Sequence, residues 1–406
     1  MAFGSQFVSS SSSYADRRTA AIVPYPANET TNAPCQILRG REAILKLQPS
    51  LADLAARCGL NGSADHLDYF LSDPQVIKKT PYLLLFRNTF GIPGVSQRGE
   101  LGAAVILFEY DWMIRSRVFG NFDWTGRRNV LAPQGRRAEV AAQAARSLLD
   151  GGAHIAHISF SESYSDADCI GASSEPTDDS RDSVKARNEG AFGSDVLSTV
   201  LVRSVPLYLR IKPTFDATLA GIGKKTRANL RYYRRRSECE LGCRFVPEAK
   251  VSLAEFLAFN KLCAFPVSDV RARWRYKALQ RVPDHFLRGM VDSEGRWLSL
   301  VGGRKYCRFA EIDWQMNRAD RPTYSLSTVL RSYLLEYESA LGSTRLFIEG
   351  GTPSAIGHSF TEETVEDLIV KRSSPRLQML ERLYGRLLPP KNYVGQILRD
   401  SNLNWK

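Results

Sequence analysis

"SLLDGGAHIAHISFSE" (Ser147–Glu162) and "EYESALGSTRLFIEGG" (Glu336–Gly351) stand about 190 residues apart in a chain of 406. Each reads as the last turns of a helix, a glycine stop and a short strand, because glycine reaches the left-handed backbone that ends a helix without steric cost. The alanine-rich "RRAEVAAQAARSLLDGG" leads into the first copy, and "YSLSTVLRSYLLEYESALGS", closing near Gly342, into the second. Upstream, "PYLLLFRNTFG" and "GELGAAVILFEYDW" read as strands, and "EGRWLSLVGGRKYCRFAEIDWQMN" reads as a hairpin around "GGRK". Hairpin, loop, helix, strand thus occurs twice, at low identity. The order predicts an α/β chain of two similar halves, mixed sheets flanked by helices.

The remaining segments set the boundaries. Residues 1–40 carry a serine tract and "PYPANETTNAP" and read as flexible. Residues 41–160 form the first half, opening on "REAILKLQPSLADLAARCGL", where Pro49 breaks the helical pattern. Residues 161–198 are acidic, serine-rich and aperiodic, as a mobile connection would be. Residues 199–390 form the second half, and 391–406 a tail.

Charge is unevenly placed. The net charge is +12, but residues 1–200 hold 20 basic and 22 acidic side chains, whereas residues 201–406 hold 35 and 21. An anionic partner is therefore expected to meet the second half. Seven cysteines at irregular spacing, without a completing His, fit free thiols in a reducing compartment. The N-terminus lacks the apolar core of a secretory signal, and no apolar run approaches the ~20 residues of a spanning helix. The expectation is a soluble, cytoplasmic protein.

"GIGKKTRANLRYYRRR" (Gly221–Arg236) holds seven Lys or Arg and no acid. As a helix it places Lys224, Arg227, Arg231 and Arg234 in one basic stripe, beside an apolar stripe of Ile222, Thr226, Leu230 and Tyr233. That one-sidedness suits a docked helix. Its basic face is a solvated surface, a contact for a phosphate-bearing substrate, or a contact for an anionic membrane. Nucleic acid would call for more such patches or interleaved aromatics.

The second half, opening with "YLRIKPTFDATLAGIGKKTRANLRYYRRR", resembles acyltransferases of the GNAT superfamily. Within it the chain is most similar to the CelD/BcsL type associated with cellulose and polysaccharide biosynthesis, which is related to the FemAB aminoacyltransferases. In that group a strand and a short acidic turn lead into a helix shaped like "lskktRxnlrrxxrr". The resemblance spans roughly residues 65–385, and "RADRPTYSLSTVLRSYLLEYESALGSTRLFIEGG" carries its later part. It implies transfer of an acyl group, acetyl first, from a coenzyme A thioester to an amine or hydroxyl of a sugar or cell-envelope precursor. No metal and no covalent enzyme intermediate are implied. It also implies phosphate-bearing or sugar substrates and, as partners, other polysaccharide-synthesis proteins. Two alternatives stay open: a Fem-like transferase using aminoacyl-tRNA, and a catalytically degenerate scaffold subunit of a polysaccharide machine.

Site residues follow. Relatives that grip coenzyme A use a glycine-containing turn at a helix N-terminus, where backbone amides receive the pyrophosphate. Here the turn is "YSLSTVL", without glycine. Ser325, Ser327 and Thr328 are the candidate donor-binding residues, and a plain helix cap by Ser325 or Ser327 is the alternative. In "RFAEIDWQM", strict alternation puts Glu311, Asp313 and Gln315 on one face and Ile312, Trp314 and Met316 on the other, so Glu311 and Asp313 are candidate bases or a solvent-facing row. Glu349 stands where this family often has an acid before glycine, which makes it a candidate catalytic residue. His358 lies near a position where relatives often carry Lys, and reads as a substrate contact or a surface His. His154 and His157 point to opposite faces of a strand and read as structural.

Overall fold

The computed structural model describes residues 35–58, 77–87, 101–112, 116–120, 129–133, 135–160, 196–281, 285–306, 308–348 and 359–373, with single positions elsewhere. The expected mixed α/β architecture is observed. The chain divides into two compact units, and neither is continuous in sequence.

The N-terminal unit runs β1 (Cys35–Arg39), α1 (Arg41–Leu45), α2 (Gln48–Arg57), β2 (Thr80–Arg87), β3 (Leu101–Trp112), β4 (Ser116–Gly120), β5 (Val130–Leu131), α3 (Arg137–Asp150) and β6 (Ile155–Phe160). Pro49 separates α1 from α2 and sits in the first turn of α2, where its missing N–H costs no hydrogen bond. Strands β1 to β4 are antiparallel neighbours. Strand β6 then lies parallel to β4, with α3 as the crossover. The alanines of α3 let that helix sit close on the sheet, and Val140, Ala141, Ala144 and Ala145 are fully buried against it.

The C-terminal unit begins within β7 (Val196–Arg210) and continues with α4 (Phe215–Ala220), α5 (Lys224–Leu241), β8 (Arg244–Val246), α6 (Leu253–Lys261), α7 (Asp269–Arg281), β9 (His285–Val291), β10 (Trp297–Tyr306), β11 (Phe309–Asn317), α8 (Leu326–Ala340) and β12 (Arg345–Ile348). Its sheet has the order β8-β9-β10-β11-β12-β7. Again one strand, β12, lies parallel to the strand before the crossover helix, with Phe309 opposite Arg345 and Ile312 opposite Ile348. The motif seen in the sequence twice is therefore this parallel pair closed by a helix. In each unit an antiparallel strand from elsewhere in the chain completes the sheet. Tyr208–Arg210 of β7 pairs β12, and β13 (Thr361–Arg372) pairs β6.

"GGRK" is not a turn. The hairpin closes between Tyr306 and Phe309, and Gly302 and Gly303 lie inside β10. They are there for closeness. A Cβ on Gly302 would stand 2.1 Å from the Trp314 ring, and one on Gly303 would stand 2.0 Å from the Glu311 carbonyl oxygen. At the same place the ladder slips, because Gly302 pairs Trp314 and Gly303 pairs Ile312, leaving Asp313 without a partner residue. This bulge breaks the expected alternation. Ile312 packs with Val329, Leu330 and Leu334 of α8, whereas Trp314 and Met316 pack with Phe256 and Phe259 of α6 and Ala272 of α7.

Gly303→Ala is expected to destabilise the protein by about 2 kcal/mol or more, since backbone atoms cannot move aside. Gly223→Ala, where nothing lies within 4 Å of the added carbon, is the control and is expected within about 0.5 kcal/mol of wild type. Urea unfolding midpoints check both.

Candidate functional site

A cluster of charge lies beside the bulge. Arg304 of β10 lies opposite Glu311 on one side and His285 on the other, and its side chain is 2% exposed. Its Nη2 donates to Glu311 Oε2 at 3.1 Å and to Asp313 Oδ1 at 3.4 Å. His285 Nε2 stands 3.2 Å from Asp313 Oδ2, and among the described residues no hydrogen bond satisfies its buried Nδ1. Asp313 shares the face of Glu311, as alternation expects, and reaches the same guanidinium. Gln315 instead pairs across the ladder with Val301, which belongs to the α8 side of the core. Burial alone would raise the Asp313 carboxyl, but the Arg304 charge and the His285 hydrogen bond outweigh it, and the carboxyl lies below its ordinary 3.8. It is a carboxylate held charged, which is a weak proton acceptor at neutral pH. Asp313 keeps 18% exposure.

Helix α8 follows β11 and covers this part of the sheet. Ser325 occupies the N-cap position with φ 49° and ψ 49°, which makes it the one left-handed non-glycine among the described residues. The expected side-chain cap is not made. The Ser325 hydroxyl instead meets Thr328 Oγ1 at 2.8 Å, while the Ser325 carbonyl accepts from the amides of Thr328 and Val329. Ser327 is half-buried in the same first turn. One turn further on, Arg331 is nine-tenths buried with neither an ion pair nor a hydrogen bond among the described residues, and burial alone lowers its pKa to about 10. The matching helix start in the N-terminal unit is filled from within. There Arg137, 1% exposed, donates from Nε to the Ala132 carbonyl at 3.3 Å.

The far end of α8 is anchored by a second buried charge. Glu338, with no exposed surface, pairs with Arg288 of β9, accepts from the Ser343 hydroxyl and lies 3.6 Å from Lys305 Nζ. Arg288 also stacks over Phe286 and Tyr337.

The basic stripe of α5 is not uniform. Leu230 is buried and Tyr233 packs partly into the core, while Arg234 bridges Glu238 and Glu336 and lies over the Tyr333 ring. Arg231 pairs with the exposed Asp216, and Arg227 reaches the Ala220 carbonyl at 3.5 Å. Lys224, the first residue of the helix, is exposed. Arg234 therefore ties α5 to α8, and the exposed N-terminal part of the stripe is Lys224, Arg227 and Arg231. Glu349 and His358 lie outside the described residues. His154 Nδ1 accepts from the Arg117 amide at 3.2 Å, and His157 Nε2 is 3.5 Å from Asp367. Among the described residues no group of His, Cys, Asp and Glu is placed to hold a metal, and no helix is long and apolar enough to cross a membrane.

The sequence matches no family model and no curated protein. Solved structures are similar to it in fold. L-PGS from Bacillus licheniformis is 13% identical, over 82% of this chain and 94% of that one, with a TM-score of 0.46. FemX is 10% identical, over 84% and 99%, with a TM-score of 0.46. A tandem GNAT protein from the clavulanic acid biosynthesis pathway is 12% identical, over 84% and 99%, with a TM-score of 0.42.

Sequence reading missed His285 and Arg331. His285 became visible only with the strand register, which sets it opposite Arg304. Arg331 had a signal: a single cation in a helix whose neighbours Val329, Leu330, Leu334 and Leu335 are all core.

A carboxyl depressed in the folded state adds stability that is complete above its ordinary value and is lost as pH falls through its folded value. Asp313→Asn is therefore expected to lower stability at pH 7. It is also expected to flatten the further loss of stability between pH 4 and pH 2, read as urea midpoints across that range.

Proposed function

We propose that the C-terminal unit is an acyltransferase that moves an acyl group from a coenzyme A thioester to an amine or hydroxyl. The acceptor class is a sugar or cell-envelope precursor. The observation that carries this reading is Arg331, a buried cation that meets no anion among the described residues, on the helix whose first turn is opened by left-handed Ser325 and left without a side-chain cap. A helix start of this kind favours phosphate, through its free amides and its dipole. Ser325, Ser327 and Thr328 add hydroxyls to that turn, so the residues present fit a pyrophosphate.

A thioester donor supplies an activated acyl carbon and a thiolate leaving group. The bulge in β11 leaves main-chain groups beside Asp313 outside the ladder, where an amide can face a developing oxyanion. Asp313, kept charged by Arg304 and His285, holds the acceptor by a hydrogen bond and orients its lone pair. The proton released from the acceptor goes to water, because the depressed carboxylate does not hold it. Glu311, buried against Arg304, fixes that arginine. Lys224, Arg227 and Arg231 supply a positive rim that draws a phosphate-bearing substrate, more weakly as salt rises.

Calorimetry with acetyl-coenzyme A on the full chain tests the reading. Wild type is expected to bind, and Arg331→Met to bind roughly tenfold to a hundredfold more weakly, the worth of a charge-assisted hydrogen bond. If wild type takes no coenzyme A and instead retards aminoacyl-tRNA in a gel, the donor assigned here is wrong.

A further inference from the structure

We infer that the loop joining α6 to α7 is a docking device for an anionic lipid surface. Phe265 is 82% exposed, the highest value among the large hydrophobics of the described residues, and Leu262 and Val270 flank it at 53% and 65%. A side chain exposed to that degree projects from the surface. Its loop is nevertheless held firmly. The Asn260 side chain donates to the Val267 carbonyl at 2.8 Å and accepts from the Val267 amide at 3.1 Å, so it pins the loop across its base. Ala264 donates to the Asn317 carbonyl, Ala319 donates to the Leu262 carbonyl, and Cys263 is buried between them. A backbone this well fixed presents Phe265 and Pro266 to water by construction.

The charge behind the tip decides the partner. On α7, Val270, Arg273 and Lys277 fall at i, i+3 and i+7, along one exposed face, and Lys261 stands at the end of α6. Among the described residues none of Lys261, Arg271, Arg273 and Lys277 is paired with a carboxylate, whereas Arg231, Arg234 and Arg236 of α5 all are. Asp269 is the lone acid from Lys261 to Lys277. A convex apolar tip with unpaired cations beside it matches a bilayer interface. The ring enters at the headgroup level and the cations meet lipid phosphates. A protein partner would have to offer a pocket for the ring and acids around it.

Flotation of the full chain with vesicles tests the inference. At about 50 mM salt, wild type is expected to float with vesicles of 30% phosphatidylglycerol in phosphatidylcholine, and not with phosphatidylcholine alone. Phe265→Ser is expected to weaken the partition roughly tenfold, and the double change Arg273→Glu with Lys277→Glu at least as much. Lys225→Glu, on α5, alters charge elsewhere and should leave the partition unchanged. Thermal melts establish that each variant is folded. If wild type does not float, or if Phe265→Ser floats as wild type does, the inference is overturned. Retained acyl transfer in a variant that no longer floats separates this surface from the proposed site.

Discussion

Two adjacent glycines in β10 fix where β11 lies. Any side chain at Gly302 or Gly303 would occupy space taken by the Trp314 ring or the Glu311 backbone. Because the strands approach so closely there, β11 takes up an extra residue and Asp313 falls out of register. The two halves of β11 serve different cores, and Asp313, without a partner residue in the ladder, stands beside Arg304. Alternation alone keeps Asp313 on the face of Glu311 and Arg304, so the slip acts on the residues after it, sending Trp314 and Met316 to the α6–α7 core.

The same unit carries more buried charge than packing alone needs. Arg304 between Glu311 and Asp313, and Arg288 with Glu338, are ion pairs removed from water. Such pairs return little net stability against an apolar replacement, yet losing one partner strands a charge at a cost of about 3–5 kcal/mol. They act as registration pins. Glu338 fixes the end of α8 over β9 and β10, and Arg304 fixes the bulge.

Much of the fold was legible before any coordinates. Alanine spacing gave α3, glycine stops gave the helix ends, Pro49 gave the break between α1 and α2, and the paired helix-to-strand segments gave the two units. What failed had a common cause. "GGRK" matches a turn by composition, and only the close contact with β11 explains glycine in mid-strand. Alternation along "RFAEIDWQM" holds for an unbroken ladder, so a bulge that depends on a neighbouring strand is invisible to it. The basic stripe of α5 was real in periodicity, but beside the near partner Glu238 its Arg234 has a second acid, Glu336, about a hundred residues away. Local patterning cannot count partners supplied by tertiary structure.

The two units share a motif and differ at one decisive place. In each, a helix crosses between parallel strands and starts near the sheet's end. In the N-terminal unit the start of α3 holds buried Arg137, whose Nε donates to the backbone carbonyl of Ala132. In the C-terminal unit the helix opens on left-handed Ser325 and carries Arg331, which meets no anion among the described residues, and neither helix has a side-chain cap. Left-handed backbone at a non-glycine residue and an unpaired buried guanidinium each cost folding free energy. The C-terminal unit carries both features. The excess of positive charge in residues 201–406 lies in the same part of the chain, where its field attracts anions at long range.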